Sequence, residues 1–131
     1  MSILRNASVK FITPANSDDK DADTHVTVTV RDSNNRIAAR IDSDFGHFSD
    51  HSVNGPYGLI IRNRSSAEEL EAGNVTIRID PNGHDTWIFN FDLDLQFDGD
   101  EHYGATYNNI VLNQDNRETS FGLQGVLEER H

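Results

Sequence analysis

Between residues 87 and 97 every odd position is a large apolar residue: Trp87, Phe89, Phe91, Leu93, Leu95 and Phe97. The positions between them are Ile88, Asn90, Asp92, Asp94 and Gln96. A period of two places alternate side chains on opposite faces of an extended chain, whereas a helix would scatter the same residues round its circumference. The segment therefore predicts one strand of about eleven residues, dry on one face and wet on the other.

The same period recurs. Val26, Val28 and Val30 alternate with Thr27 and Thr29, and Val75, Ile77 and Ile79 with Thr76 and Arg78. β-branched residues suit a pleated, half-buried surface. Shorter strand candidates lie at 10–13, 37–41, 58–62, 109–112 and 121–127, and turn-forming clusters at 16–24, 32–35, 42–56, 80–85 and 98–101. Asp98-Gly99 is suited to a tight hairpin turn after the long strand. The helical hint is 65–72, where Ser65 or Ser66 is placed to cap a single acidic turn. Short strands at this spacing predict an all-β fold, an antiparallel β-sandwich of about eight strands.

A chain of 131 residues suits one domain spanning 1–131, with 1–8 and 128–131 expected as flexible ends. It has 11 basic and 22 acidic side chains, a net charge of −11. Such a field repels phosphate backbones, so nucleic acid is excluded as the default partner, and uptake of cations is favoured. No apolar run is long enough for a membrane-spanning helix. Residues 1–11 are interrupted by Arg5, Asn6 and Lys10, which leaves no apolar region for a signal peptide. The expectation is a cytoplasmic protein, or one exported by a non-classical route. Without cysteine there is no disulfide, cysteine-ligated zinc or thiol chemistry. No phosphate loop, nucleophile elbow or His-Glu-x-x-His helix is present, so no catalytic residue is nominated.

The chemistry lies in acidic segments between strands. Asp18, Asp19, Asp21 and Asp23 precede the first valine strand; Asp42, Asp44 and Asp50 follow 37–41; Asp80, Asn82 and Asp85 separate two strong strands. Hard cations such as calcium take six to eight oxygens, which alternating carboxylates in a loop supply. The first segment lacks the glycine and distal glutamate of an EF-hand loop, and each segment is alternatively a solvated turn. In a sandwich, alternate loops emerge at the same end. Acidic loops gathered there repel one another unless cations fill the space. His25, His47, His51 and His84 offer a weaker transition-metal alternative. Trp87 and the aromatics of its face are expected in the core, and Asp92 and Asp94 on a solvated face, paired with Arg62 or Arg78. Phe45, Phe48 and Tyr57, in a long loop, are the candidates for an exposed partner contact or for packing over the end of the sandwich.

The run from Phe11-Ile-Thr13 through Asp21-Ala-Asp23-Thr24-His-Val26-Thr-Val28 resembles the opening of PLAT (lipoxygenase-homology) domains. Residues 42–61, with Phe48-Ser-Asp50 and Gly58-Leu-Ile-Ile61, are similar to that family's middle segment. Gly73-Asn-Val75-Thr-Ile77-Arg-Ile79-Asp80-Pro-Asn82-Gly83-His-Asp85-Thr-Trp87 resembles its most recognisable stretch. The first loop lacks the family's usual glycines, and its closing aromatic segment is not evident. The resemblance implies an eight-stranded antiparallel sandwich, calcium in the loops of one end, and docking on a lipid surface or a protein partner. It supplies no catalytic residue.

Four functions are thus in competition: a calcium-binding interaction module, a carbohydrate-binding sandwich with structural calcium, a glycosidase-like use of the loop carboxylates, and a metal-stabilised structural protein. Sugar platforms need aromatics along an exposed face, and here the aromatics follow the dry one. Nothing in the sequence pairs two carboxylates across a cleft as glycosidic cleavage requires.

Overall fold

The computed structural model describes residues 3–13, 24–45, 52–80, 86–99, 101–124 and 127–129. In chain order the elements are β1 (Leu4–Thr13), β2 (His25–Arg31), β3 (Ile37–Ser43), β4 (Ser52–Gly58), β5 (Ile60–Ile61), α1 (Ala67–Glu71), β6 (Asn74–Asp80), β7 (Thr86–Phe97), β8 (His102–Asn113), β9 (Glu118–Gly122) and β10 (Glu128–Glu129). They form two five-stranded sheets, ordered β10-β8-β7-β1-β4 and β5-β3-β2-β6-β9. Every pairing is antiparallel. Among the described residues ten strands stand where the sequence predicted about eight, and two of the ten are only two residues long.

The long alternation is the spine of the first sheet. Trp87, Phe89, Phe91, Leu93 and Leu95 are fully buried and Phe97 nearly so, while Gln96 is exposed and Ile88, Asn90, Asp92 and Asp94 are half-buried. Val26, Val28, Val30, Val75, Ile77 and Ile79 cover them from the second sheet. The Trp87 indole N–H, a donor buried in the core, donates to Thr13 Oγ1 at 3.1 Å.

β1 begins earlier than position 10, where the sequence pattern starts its strand. Leu4 and Ala7 are buried, and residues 6–12 pair in register with β7. The expected end 1–8 is therefore strand from Leu4 onward. β10 likewise takes Glu128 and Glu129 into a ladder with Tyr103 and Gly104.

Two bulges explain the strands that alternation missed. Asn54 pairs with Phe11 and Tyr57 with Val9, so β4 carries one residue more than β1 between the two pairs. Gly55 sits there at φ 113, and a Cβ on it would lie 2.9 Å from the Val9 carbonyl oxygen. Pro56 follows on an edge strand, where a missing N–H is tolerated. In β8 the extra residue falls between Tyr107 and Ile110. Asn109 adopts φ 59 there, and its N–H donates to Asn90 Oδ1 at 2.8 Å. An inserted residue swaps the faces, so the outward set is Thr106 before the bulge and Val111 after it.

Helix α1 matches its sequence signal, with Ser66 as the cap. Ser66 Oγ accepts the Glu69 N–H at 3.2 Å, and Glu69 Oε1 accepts the Ser66 N–H at 3.1 Å, a reciprocal capping box. Ser65, the alternative cap, is buried and serves elsewhere. Phe97 N–H donates to the Glu101 carbonyl at 2.8 Å, and Gly99 at φ 71 lets the β7–β8 connection turn.

Candidate cation-binding end of the sandwich

Strand direction and register decide which connections meet. β1, β3, β6 and β8 run toward one end of the sandwich; β2, β4, β7 and β9 start from it. At that end Thr13 pairs with Ser52, Val26 with Ser43, His25 with Asp80, and Thr86 with Asn113. β1 and β2, β3 and β4, and β6 and β7 are consecutive strands of different sheets, and the described ends that flank 14–23, 46–51 and 81–85 lie at this end. Asp18, Asp19, Asp21, Asp23, Asp50, Asn82 and Asp85, with Phe48, lie outside the described residues.

Three described carboxylates at this end, Asp42, Asp44 and Asp80, lie against histidine or arginine side chains. His25 lies between two of them, its Nδ1 2.7 Å from Asp44 Oδ1 and its Nε2 3.3 Å from Asp42 Oδ1. Arg40 also pairs with Asp42. Asp80 accepts from Arg78 at 3.1 Å, with Arg117 at 3.8 Å. The Asp80 hydrogen bond and then its charge hold the Arg78 guanidinium above its ordinary range. Among the described residues no three His, Asp or Glu side chains gather as they would round a metal ion. Asp42, Asp44 and Asp80, named with the ligands from sequence, each have a histidine or arginine partner within the chain. Two of these partners, His25 and Arg117, were not visible from sequence, because the register that brings them to the aspartates is not local.

Phe45 and Tyr57 close this end from the inside. Their ring centroids are 4.5 Å apart, and that of Phe11 lies 5.7 Å from Phe45 and 6.2 Å from Tyr57. Both rings are half-buried against the core, the packing alternative raised by the sequence.

Asp92 and Asp94 depart from expectation in their partners. Arg78 belongs to the other sheet and Arg62 lies beyond β5 of that sheet. Asp92 instead stands opposite Lys10 and accepts the Thr106 hydroxyl at 2.8 Å, while Asp94 meets His102 Nε2 at 2.5 Å. With Ser8 and Pro56, Lys10 and the two aspartates line an open depression of about 180 Å³.

The opposite end holds a polar cluster that sequence reading passed over. Asp32, where β2 leaves the sheet, is buried, and its carboxylate accepts from Ser65 Oγ at 2.7 Å, Asn34 N–H at 2.9 Å, Arg36 N–H at 3.0 Å and Arg36 Nε at 3.1 Å. Burial pushes its pKa up, but the Ser65 hydroxyl, the two backbone N–H groups and the Arg36 charge together bring it below the ordinary value of 3.8. Glu69 is also held low, first by the Ser66 N–H, and it takes Arg36 at 2.9 Å and Asn34 at 3.0 Å. The available signal was Asp32-Ser-Asn-Asn directly after a strand, which suits an Asx turn.

Comparison with protein-family models, curated proteins and solved structures finds no match to this chain. The resemblance to PLAT domains rests on the sequence motifs alone. No helix among the described residues is long and apolar enough to cross a membrane.

Proposed function

We propose that the chain is a non-catalytic interaction module that takes up calcium at the end where its acidic connections leave the two sheets. The observation that carries this reading is the register: His25 beside Asp80, and Ser43 beside Val26, force segments 14–23, 46–51 and 81–85 to depart from one end. The first of these carries Asp18, Asp19, Asp21 and Asp23 against Lys20, and the others add Asp50 and Asp85. Among the described residues at this end, Arg40, Arg78, Arg117 and His25 already lie against Asp42, Asp44 and Asp80. The remaining carboxylates therefore supply an excess of hard oxygen donors, the donor set calcium prefers. The PLAT resemblance supports the same reading. With Phe45 and Tyr57 packed inward, docking falls to other surfaces of the module, on a lipid or a protein.

Calorimetric titration with calcium at neutral pH tests it. Binding is expected, weakened by Asp21→Asn and by Asp23→Asn. Absence of heat at millimolar calcium would remove the cation reading. Binding unchanged in both variants would move the site to another connection.

A further inference from the structure

Among the described residues, the outer face of the β4-β1-β7-β8 sheet is polar except for Pro56 and one oblique row. Val53 of β4 pairs with Ile12 of β1, Ile12 pairs with Asn90 of β7, and Ile88, next on the same face of β7, pairs with Val111 of β8. Val53 is 63% and Val111 43% exposed at the two ends of the row, with Ile12 and Ile88 half-buried between them. Four strands spaced by 4.7–4.9 Å make this row roughly 14 Å long. None of the four belongs to the described core, which lies on the other face. These β-branched residues of four adjacent strands, with Ile12 and Ile88 as diagonal neighbours, form a patch unlike the scattered apolar residues normal on a surface.

The charge beside the row selects what would cover it. Beyond Asn90, the outward-facing residues of β7 are Asp92, opposite Lys10, and Asp94, beside His102. On the other side, exposed Asp115 sits in the turn that follows β8. The whole chain carries −11. A second copy of the same acid-flanked face meets like charge, and so does an anionic bilayer. The length also matters: apolar residues at i, i+3/i+4 and i+7 on a helix span about 10.5 Å, which fits within the row, and a helix diameter of about 10–12 Å leaves its flanks over the acidic residues.

We propose that the row Val53–Ile12–Ile88–Val111 is a docking surface for a basic amphipathic helix of a partner protein, its apolar stripe along the row and its Lys or Arg side chains toward Asp92, Asp94 and Asp115. This surface is separate from the calcium reading and stands or falls without it.

The test uses the intact chain, an 18-residue amphipathic Leu–Lys peptide as probe, and the matching Leu–Glu peptide as control, with binding followed by fluorescence anisotropy. The Leu–Lys peptide is expected to bind and the Leu–Glu peptide not. The double variant Val53→Ser, Val111→Ser changes only exposed side chains, and it is expected to weaken binding about tenfold from the lost apolar contact. Ile60→Ser, at a 60% exposed position on the other sheet, is expected to leave affinity unchanged. Equal binding by the double variant, or equal loss in Ile60→Ser, overturns the proposal by showing unspecific attraction to an acidic protein. A dimer, or sedimentation with phosphatidylcholine vesicles, that the double variant abolishes while peptide binding is absent also overturns it, and assigns the row to a second copy or to lipid.

Discussion

The two ends of the sandwich treat buried and crowded charge in opposite ways. At the end around Asp32, one carboxylate is buried among four donors, Arg36 supplies the counter-charge, and α1 is clamped on by its capping box. At the other end, aspartates accumulate faster than cations: Arg40, Arg78, Arg117 and His25 are spent on Asp42, Asp44 and Asp80, and the connections bring further acids. One end is closed by the chain itself. On the function proposed above, the other is completed by a cation. The difference teaches that acidity alone does not identify a binding site; what matters is whether the donors around each carboxylate are already in place.

The largest expected effect lies at the closed end. A Cβ on Gly73 would fall 2.0 Å from the Arg31 carbonyl oxygen, a contact with backbone that no rotamer relieves. Gly73→Ala is expected to cost more than about 3 kcal/mol, read from denaturant unfolding, because the helix terminus and β2 must separate. A variant as stable as the parent would mean that the two segments are not so closely joined.

Asp32→Asn is next. It removes the counter-charge of Arg36 and an acceptor of several buried donors, and is expected to cost about 2–3 kcal/mol. The pH dependence has a definite sign. A carboxyl held below its ordinary value of 3.8 when folded adds stability above that pH, and the contribution is lost as pH falls through the folded value. Acid unfolding curves should therefore be less steep below about pH 4 in Asp32→Asn than in the parent. Identical slopes would show that Asp32 is not the carboxylate the acid limb reports.

At the open end the lever is the ion. Calcium at a hundredfold excess over Kd should stabilise the fold by about 2.7 kcal/mol, seen as a higher melting temperature that chelator reverses. Magnesium should be less effective, since it gives up water reluctantly and demands a stricter geometry. The smallest effect is expected from Arg78→Gln. It releases Asp80 and removes a positive charge, so calcium affinity should rise about threefold, the scale of one screened surface charge, with little change in melting temperature. Weaker calcium binding in that variant would mean that Arg78 orders the site rather than competing with it.

What was legible in the sequence follows the same physics. The buried set from Trp87 to Phe97 and the Ser66 cap depend on neighbours within a few residues, and both were readable. Strand β4 was hidden because Gly55-Pro56 reads as a turn, and much of β8 because the bulge at Asn109 reverses its alternation in mid-strand. The acidic loops were readable as acids. Arg40 and Arg78 lie two residues from Asp42 and Asp80, but the other partners were hidden, since Arg117 reaches Asp80 only through the pairing of β9 with β6. Asp32 was missed for a related reason: Ser65, which makes its shortest hydrogen bond, is 33 residues away.

The contrast between the ends is tested most directly by amide hydrogen exchange on the intact chain with and without calcium. The account predicts slower exchange in the presence of calcium at the ends of β2, β3, β6 and β7 that adjoin the acidic connections, around residues 25–27, 41–43, 78–80 and 86–88, and no change round Asp32 and α1. Protection spread evenly over both ends, or confined to the Asp32 end, would contradict it.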